Sequence, residues 1–167
     1  YVDPAGAWAL VASQNRIDVS PSVKRVDLAT GVATVVEKTR SDVWDWYADS
    51  RGVVRGGLAY DSKSWTLWYR DTPGEPLRPV RGKFDENGGS VDRFIFNRED
   101  GTGAILTNER TGRFAAYKYD FKTAAIGEPI YEHPQVDIST ILMDPDTGKI
   151  RGIPYEEDRW RTHWLRT

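Results

Sequence analysis

The chain has 167 residues, a formal net charge of −2, a pI of about 5.7 and no cysteine. The charge balance lacks the basic footprint of a nucleic-acid binder, and without cysteine there are no disulfides or thiolate metal sites. No apolar run approaches the roughly 20 residues of a membrane-spanning helix, and Tyr1 opens into polar sequence with no signal-peptide succession, so a soluble chain is expected. Cysteine usage leaves its compartment open between cytoplasm and periplasm. Seven Trp and eight Tyr against one Met, with much Val, Ile and Thr, favour pleated sheet over helix, which predicts an all-β protein.

The expected strands follow one another at short intervals. Ala7–Ser13 comes first, then Val23–Leu28, the turn Ala29-Thr30-Gly31 and a return through Val32–Glu37. A second group opens with Val43–Ala48, turns over Asp49-Ser50-Arg51-Gly52, and continues with Val53–Asp61, Trp65–Arg70 and Pro76–Val80. Gly56-Gly57 marks a bulge or a close backbone approach, and Pro76 and Pro79 place the last of these strands at an edge. A third group runs Ser90–Asn97, the turn Arg98-Glu99-Asp100-Gly101, Gly103–Asn108, Arg113–Phe121, a turn over Lys122–Gly127, and Glu128–Glu132. A fourth runs Val136–Met143, the turn Asp144-Pro145-Asp146-Thr147-Gly148, Lys149–Tyr155 and Arg161–Leu165.

Two markers give these groups one period. The hairpin phrases around Asp27 and Asp120 lie 93 positions apart, two steps of about 45 residues, and the turn glycines Gly52, Gly101 and Gly148 follow at spacings of 49 and 47. Four-stranded antiparallel units at that period are the signature of β-propeller blades, with a β-sandwich or a small irregular barrel as the competing all-β arrangement. The expected organisation is a single partial propeller over 1–167: an incomplete blade at 1–40, blades at 41–82 and 88–133, and an incomplete blade at 134–167. Such a segment leaves apolar faces and strand edges open, which predicts self-association, for instance as a two-fold pair.

The segments VKRVDLATGVATVVEK, VWDWYADSRGVVRGGLAYDSKSWTLWYRD and YKYDFKTAAIGEPIYEHPQVDISTILMDPDTGKIRGIPYEEDR carry a family likeness. Together they resemble the N-terminal β-propeller of bacterial prolyl oligopeptidase family serine peptidases, in particular the dipeptidyl-peptidase and acylaminoacyl-peptidase-like members, whose blades are similar to those of TolB. IYEHPQVDISTILMDPDTGKIRG is its most specific part. The resemblance implies a non-catalytic domain that caps an α/β-hydrolase domain of the same parent chain and gates the entry of peptide substrates. The catalytic Ser, Asp and His would lie in that absent domain. A stand-alone TolB-like module for protein–protein interaction is the alternative.

The chain itself offers few chemical candidates. Gly88-Gly89-Ser90-Val91-Asp92 lacks the second glycine of a serine elbow, so no catalytic residue is assigned. Asp144 and Asp146 alternate as in an acidic calcium loop, but the twelfth position is Tyr155, and an Asx turn fits better. His133 and His163 have no ligand or nucleophile at suitable spacing and read as structural, so no metal or cofactor is expected. Trp44, Trp46, Trp65 and Trp68 are expected to lie in same-face pairs, packing neighbouring sheets rather than lining a carbohydrate or peptide site. Glu156-Glu157-Asp158-Arg159 reads as a solvated loop rather than a patch for a peptide amine, and Arg93, Arg98, Glu99, Glu109 and Arg110 as surface charge compatible with a domain contact.

Overall fold

A computed structural model describes residues 1–83, 89–96, 102–144 and 147–166. These residues form fourteen strands and no helix, arranged in four antiparallel sheets. The chain divides into two compact units, Tyr1–Gly82 and Lys83–Thr167.

The first unit holds a three-stranded sheet, β1 (Trp8–Ser13), β2 (Ser22–Asp27) and β3 (Ala33–Glu37), in that order. Val2 forms an isolated bridge to Ala9 at the β1 edge. A four-stranded sheet follows, with β4 (Val43–Ala48), β5 (Val54–Tyr60), β6 (Ser64–Tyr69) and β7 (Arg78–Lys83) also paired in chain order. The two sheets are tied by the Trp46 indole N–H, which donates to the Pro21 carbonyl at 2.9 Å, and by an Arg70–Glu37 ion pair.

The second unit contains β8 (Val91–Phe96), β9 (Thr102–Thr107), β10 (Ala115–Asp120) and β11 (Ala125–Tyr131), then β12 (Leu142–Met143), β13 (Ile150–Glu156) and β14 (Trp160–Trp164). They form a four-stranded and a three-stranded sheet, again as meanders. Ala104, Leu106 and Ala116 of the first meet Ile138, Ile141 and Ile153 of the second in a buried cluster. Phe94, Phe96, Tyr119 and Phe121 form an aromatic group on the other face, with the Phe96 and Phe121 rings stacked at 3.9 Å.

Five of the hairpin turns are organised by an aspartate at a strand end. Asp27 Oδ1 accepts the N–H groups of Ala29 and Thr30 and the Thr30 hydroxyl, while Gly31 takes a φ of 72°. Asp120 repeats the arrangement with the N–H groups of Lys122 and Thr123. There the left-handed position is taken by Ala124, at φ 58°. Asp61 between β5 and β6, Asp49 between β4 and β5, and Asp144 between β12 and β13 cap their turns in the same way.

The caps have a pH signature. Asp27 is held below its ordinary value of 3.8 chiefly by the Thr30 N–H, and Asp120 chiefly by the Lys122 N–H. A depressed carboxylate contributes stability that is complete above the unfolded value and lost as pH falls through the lower folded one. Acid unfolding followed by circular dichroism should therefore be displaced to higher pH in Asp27→Ala and Asp120→Ala. An unchanged acid midpoint in both variants would show that these caps do not stabilise the fold.

Several expected elements shift. Gly127 lies within β11 rather than in the preceding turn, because Ala124 supplies the left-handed residue and pairing starts at Ala125. The expected strand Val136–Met143 shrinks to Leu142–Met143 plus an isolated Ile138–Tyr155 bridge. Its apolar residues Ile138 and Ile141 are core side chains on irregular backbone. The edge strand of the second sheet starts at Arg78 instead of Pro76. The turn Arg98–Gly101 lies outside the described residues, as do Gly88, Pro145 and Asp146.

Candidate functional site

A cleft in the second unit lies between its two sheets. Along β9 and β10 the residues that share the face of Leu106, Ala104 and Ala116 are, in register, Thr102, Lys118 and Asp120. The apolar cluster closes one end of this wedge. At the other end the sheets diverge around a cleft of about 740 Å³ lined by Lys118, Asp120, Ile130, Ile150, Leu165 and Arg166, among others. Leu165 is held there by its N–H, which donates to the Arg151 carbonyl at 2.9 Å.

Backbone irregularity borders the same cleft. Tyr117 pairs with Pro129 and Tyr119 with Ile126, so two steps on β10 span three on β11, and Lys118 faces the extra residue. Gly127 presents bare backbone at this bulge, since a Cβ there would lie 3.3 Å from Lys118 Cβ, and Pro129 contributes no N–H to the ladder.

The cleft is electrically unbalanced. Asp120 Oδ1 is engaged by its turn, and among the described residues neither Lys118 nor Arg166 takes part in an ion pair. The first unit's smaller cleft, about 390 Å³, differs: Arg70 pairs with Glu37, and Arg25 lies over the Trp8 ring at 4.2 Å.

The two histidines, 30 positions apart, both approach the Tyr131 ring. His163 stacks on Tyr131 at 4.2 Å, and His133 lies against Tyr155 at 4.6 Å. His133 Nδ1 accepts the N–H groups of Gln135 and Val136, and Nε2 lies 3.4 Å from Glu157 Oε1. Both ring nitrogens of His133 are thereby used in holding a turn and joining the two sheets. Sequence spacing could not show the stacking of His163 on Tyr131, because it depends on the placement of β11 against β14.

The remaining candidates are accounted for locally. Asp144 caps Thr147 at 2.8 Å and faces Arg151 at 3.6 Å, the arrangement of a turn, and no cluster of potential metal ligands occurs among the described residues. Glu157 and Asp158 both pair with Arg161, Arg93 pairs with Asp92, and Arg110 donates to the Ile126 carbonyl. Ser90 precedes β8, with its carbonyl accepting the Thr107 hydroxyl, so it stands on no strand-to-helix elbow. Arg98 and Glu99 lie outside the described residues.

Trp65 and Trp68 do not form a same-face pair. They are three residues apart in an unbroken strand and therefore point to opposite sides. Trp65 is buried over Gly82, whereas Trp68 lies beneath the Arg40 guanidinium at 4.1 Å. In β4 a register shift at Trp44 breaks the alternation, so Val43 and Trp46 both reach Gly57. Gly57 thus marks a close approach of side chains.

The first unit also contains a charged pair that sequence reading missed. Arg55 and Asp49 are both buried, with Arg55 Nε 3.5 Å from Asp49 Oδ2. No family model, curated protein or solved structure matches this chain.

Proposed function

We propose that the chain is a segment of the β-propeller of a prolyl oligopeptidase family serine peptidase, contributing to substrate gating and to contact with an α/β-hydrolase domain of the same parent. One observation carries this reading: alternate antiparallel meanders place an Asp-capped turn at the same strand junction. Asp27 and Asp120 cap the hairpin into the last strand of the first and third sheets. Asp49 and Asp144 cap the first hairpin of the second and fourth. A propeller is built by such repetition. In both units, sheets consecutive in sequence are in side-chain contact.

On this proposal the purified 167-residue chain has no peptidase or esterase turnover, and the parent reading frame encodes an α/β-hydrolase with a serine nucleophile elbow. Turnover by the chain itself would overturn the assignment, and so would a parent frame lacking a hydrolase. The latter outcome would favour the TolB-like interaction module. Exposed residues at sheet edges support the further expectation of self-association. Trp160 and Trp164 of β14 are each 62% exposed, and Val35 and Val36 of β3 are also exposed. Light scattering should therefore report a species larger than the monomer.

A further inference from the structure

We propose that the cleft between the two sheets of the second unit binds a small carboxylate carrying an aliphatic group. The charge argument comes first. Lys118 and Arg166 both line the cleft and neither is in an ion pair among the described residues, while Asp120, the one carboxylate of the lining, stays ionised with Oδ1 held by its turn, so the lining carries a net positive charge. An anion entering the cleft meets a guanidinium fork, suited to the two oxygens of a carboxylate, and a lysine point charge.

The walls specify the rest of the ligand. Ile130, Ile150, Leu165 and Pro129 supply branched apolar surface with few hydrogen-bonding groups, which selects an aliphatic body over a sugar or nucleotide. The volume of about 740 Å³ falls within the range of small-molecule sites. The bulge opposite Lys118 and the glycine beside it keep this end of the wedge open, while the Ala104–Ile153 cluster packs the other end shut. Two natural sources share the chemistry, an acyl chain and the C-terminus of a peptide ending in an aliphatic residue. The inference depends only on this cleft and holds whether or not the chain belongs to a peptidase.

The experiment is a titration of the 167-residue protein, followed by the methyl NMR signals of Ile130, Ile150 and Leu165. The probes are octanoate, hexanoate and N-acetyl-leucine, each acid paired with its neutral amide. Both classes of acid should shift these signals saturably, with the amides at least about tenfold weaker because they forfeit the ion pairs. If the acyl chain is buried, octanoate should bind up to roughly tenfold more tightly than hexanoate, from two further methylenes. Tighter binding of N-acetyl-leucine than of octanoate assigns the site to peptide termini; the reverse order assigns it to acyl chains.

Lys118→Met, at an exposed position, should weaken every acid by about fivefold or more while leaving the amides unchanged. Ile150→Trp should block both acids and amides, with circular dichroism confirming that the variant is folded. Equal binding of acids and amides, shifts confined to other residues, or no saturable binding at millimolar concentration would each overturn the proposal.

Discussion

Asp49→Ala should destabilise the protein by about 3–5 kcal/mol in urea unfolding, the range for removing one partner of a buried charge pair. Asp49 is 3% exposed and Arg55 1%, so the Arg55 guanidinium stays out of water whether or not the carboxylate is present. Asp49 has two functions that chemistry can separate. Its Oδ1 accepts the N–H groups of Arg51 and Val53, which fixes the β4–β5 turn, and its Oδ2 faces Arg55 Nε at 3.5 Å. The latter is an electrostatic contact longer than a good hydrogen bond.

Asp49→Asn retains the turn acceptor and abolishes the charge, so it should lose most of the stability that Asp49→Ala loses. The difference between the two variants, about 1 kcal/mol, measures the cap. Adding Arg55→Met to Asp49→Ala should then restore part of the loss, because an apolar side chain of similar length removes the buried charge altogether. Additive costs in that double-mutant cycle, or an Asp49→Ala loss below about 1 kcal/mol, would show that the pair carries no such energy.

Asp49 also illustrates what could be read before the structure. Its turn function was legible, because an aspartate followed three positions later by glycine between two apolar runs has few other uses. A related turn phrase, an aspartate leading into polar residues and a later glycine, located the hairpins at Asp27 and Asp120, and apolar runs located nearly every strand to within two residues. Arg55 was not legible as buried, since nothing local distinguishes it from the exposed arginines around it. Its available signal was only a charged residue between Val54 and the Gly56-Gly57 pair, six positions after a turn aspartate.

The cleft was missed for a related reason. It is a gap between sheets, and its boundary depends on a bulge at Lys118 and on which face of β13 meets β10. Bulges also defeat face assignments made by counting. Val43 and Trp46, three positions apart, both reach Gly57 because the extra residue at Trp44 interrupts the period of two. The stacking of His163 on Tyr131 required sheet-to-sheet register, which no periodicity within one strand encodes.

Gly103→Ala should be among the most damaging single substitutions in the second unit, with an expected loss of about 3 kcal/mol or more. A Cβ at this position would lie 2.0 Å from the Ile95 carbonyl oxygen and 2.6 Å from the Phe121 ring. Gly103 pairs with Phe96 on one side and Tyr119 on the other, so it occupies the middle of a three-strand ladder. Phe121, against which the new methyl would press, is fully buried and stacked on Phe96. Relief would require β8 to move away from β9, breaking ladder hydrogen bonds on both sides of the contact.

Gly82 provides the contrast that tests the cause. A Cβ there also comes within 2.0 Å of a neighbour, but the neighbour is the Trp65 ring, a side chain near the edge strand β7. A ring can tilt where a backbone carbonyl in a central ladder cannot, so Gly82→Ala should cost less than Gly103→Ala. Because Gly103 also lines the cleft, its substitution should reduce octanoate-induced shifts only to the extent that the unit unfolds. Urea unfolding of the two alanine variants side by side decides the matter. Equal losses would indicate that the ladder at Gly103 yields as easily as the Trp65 ring.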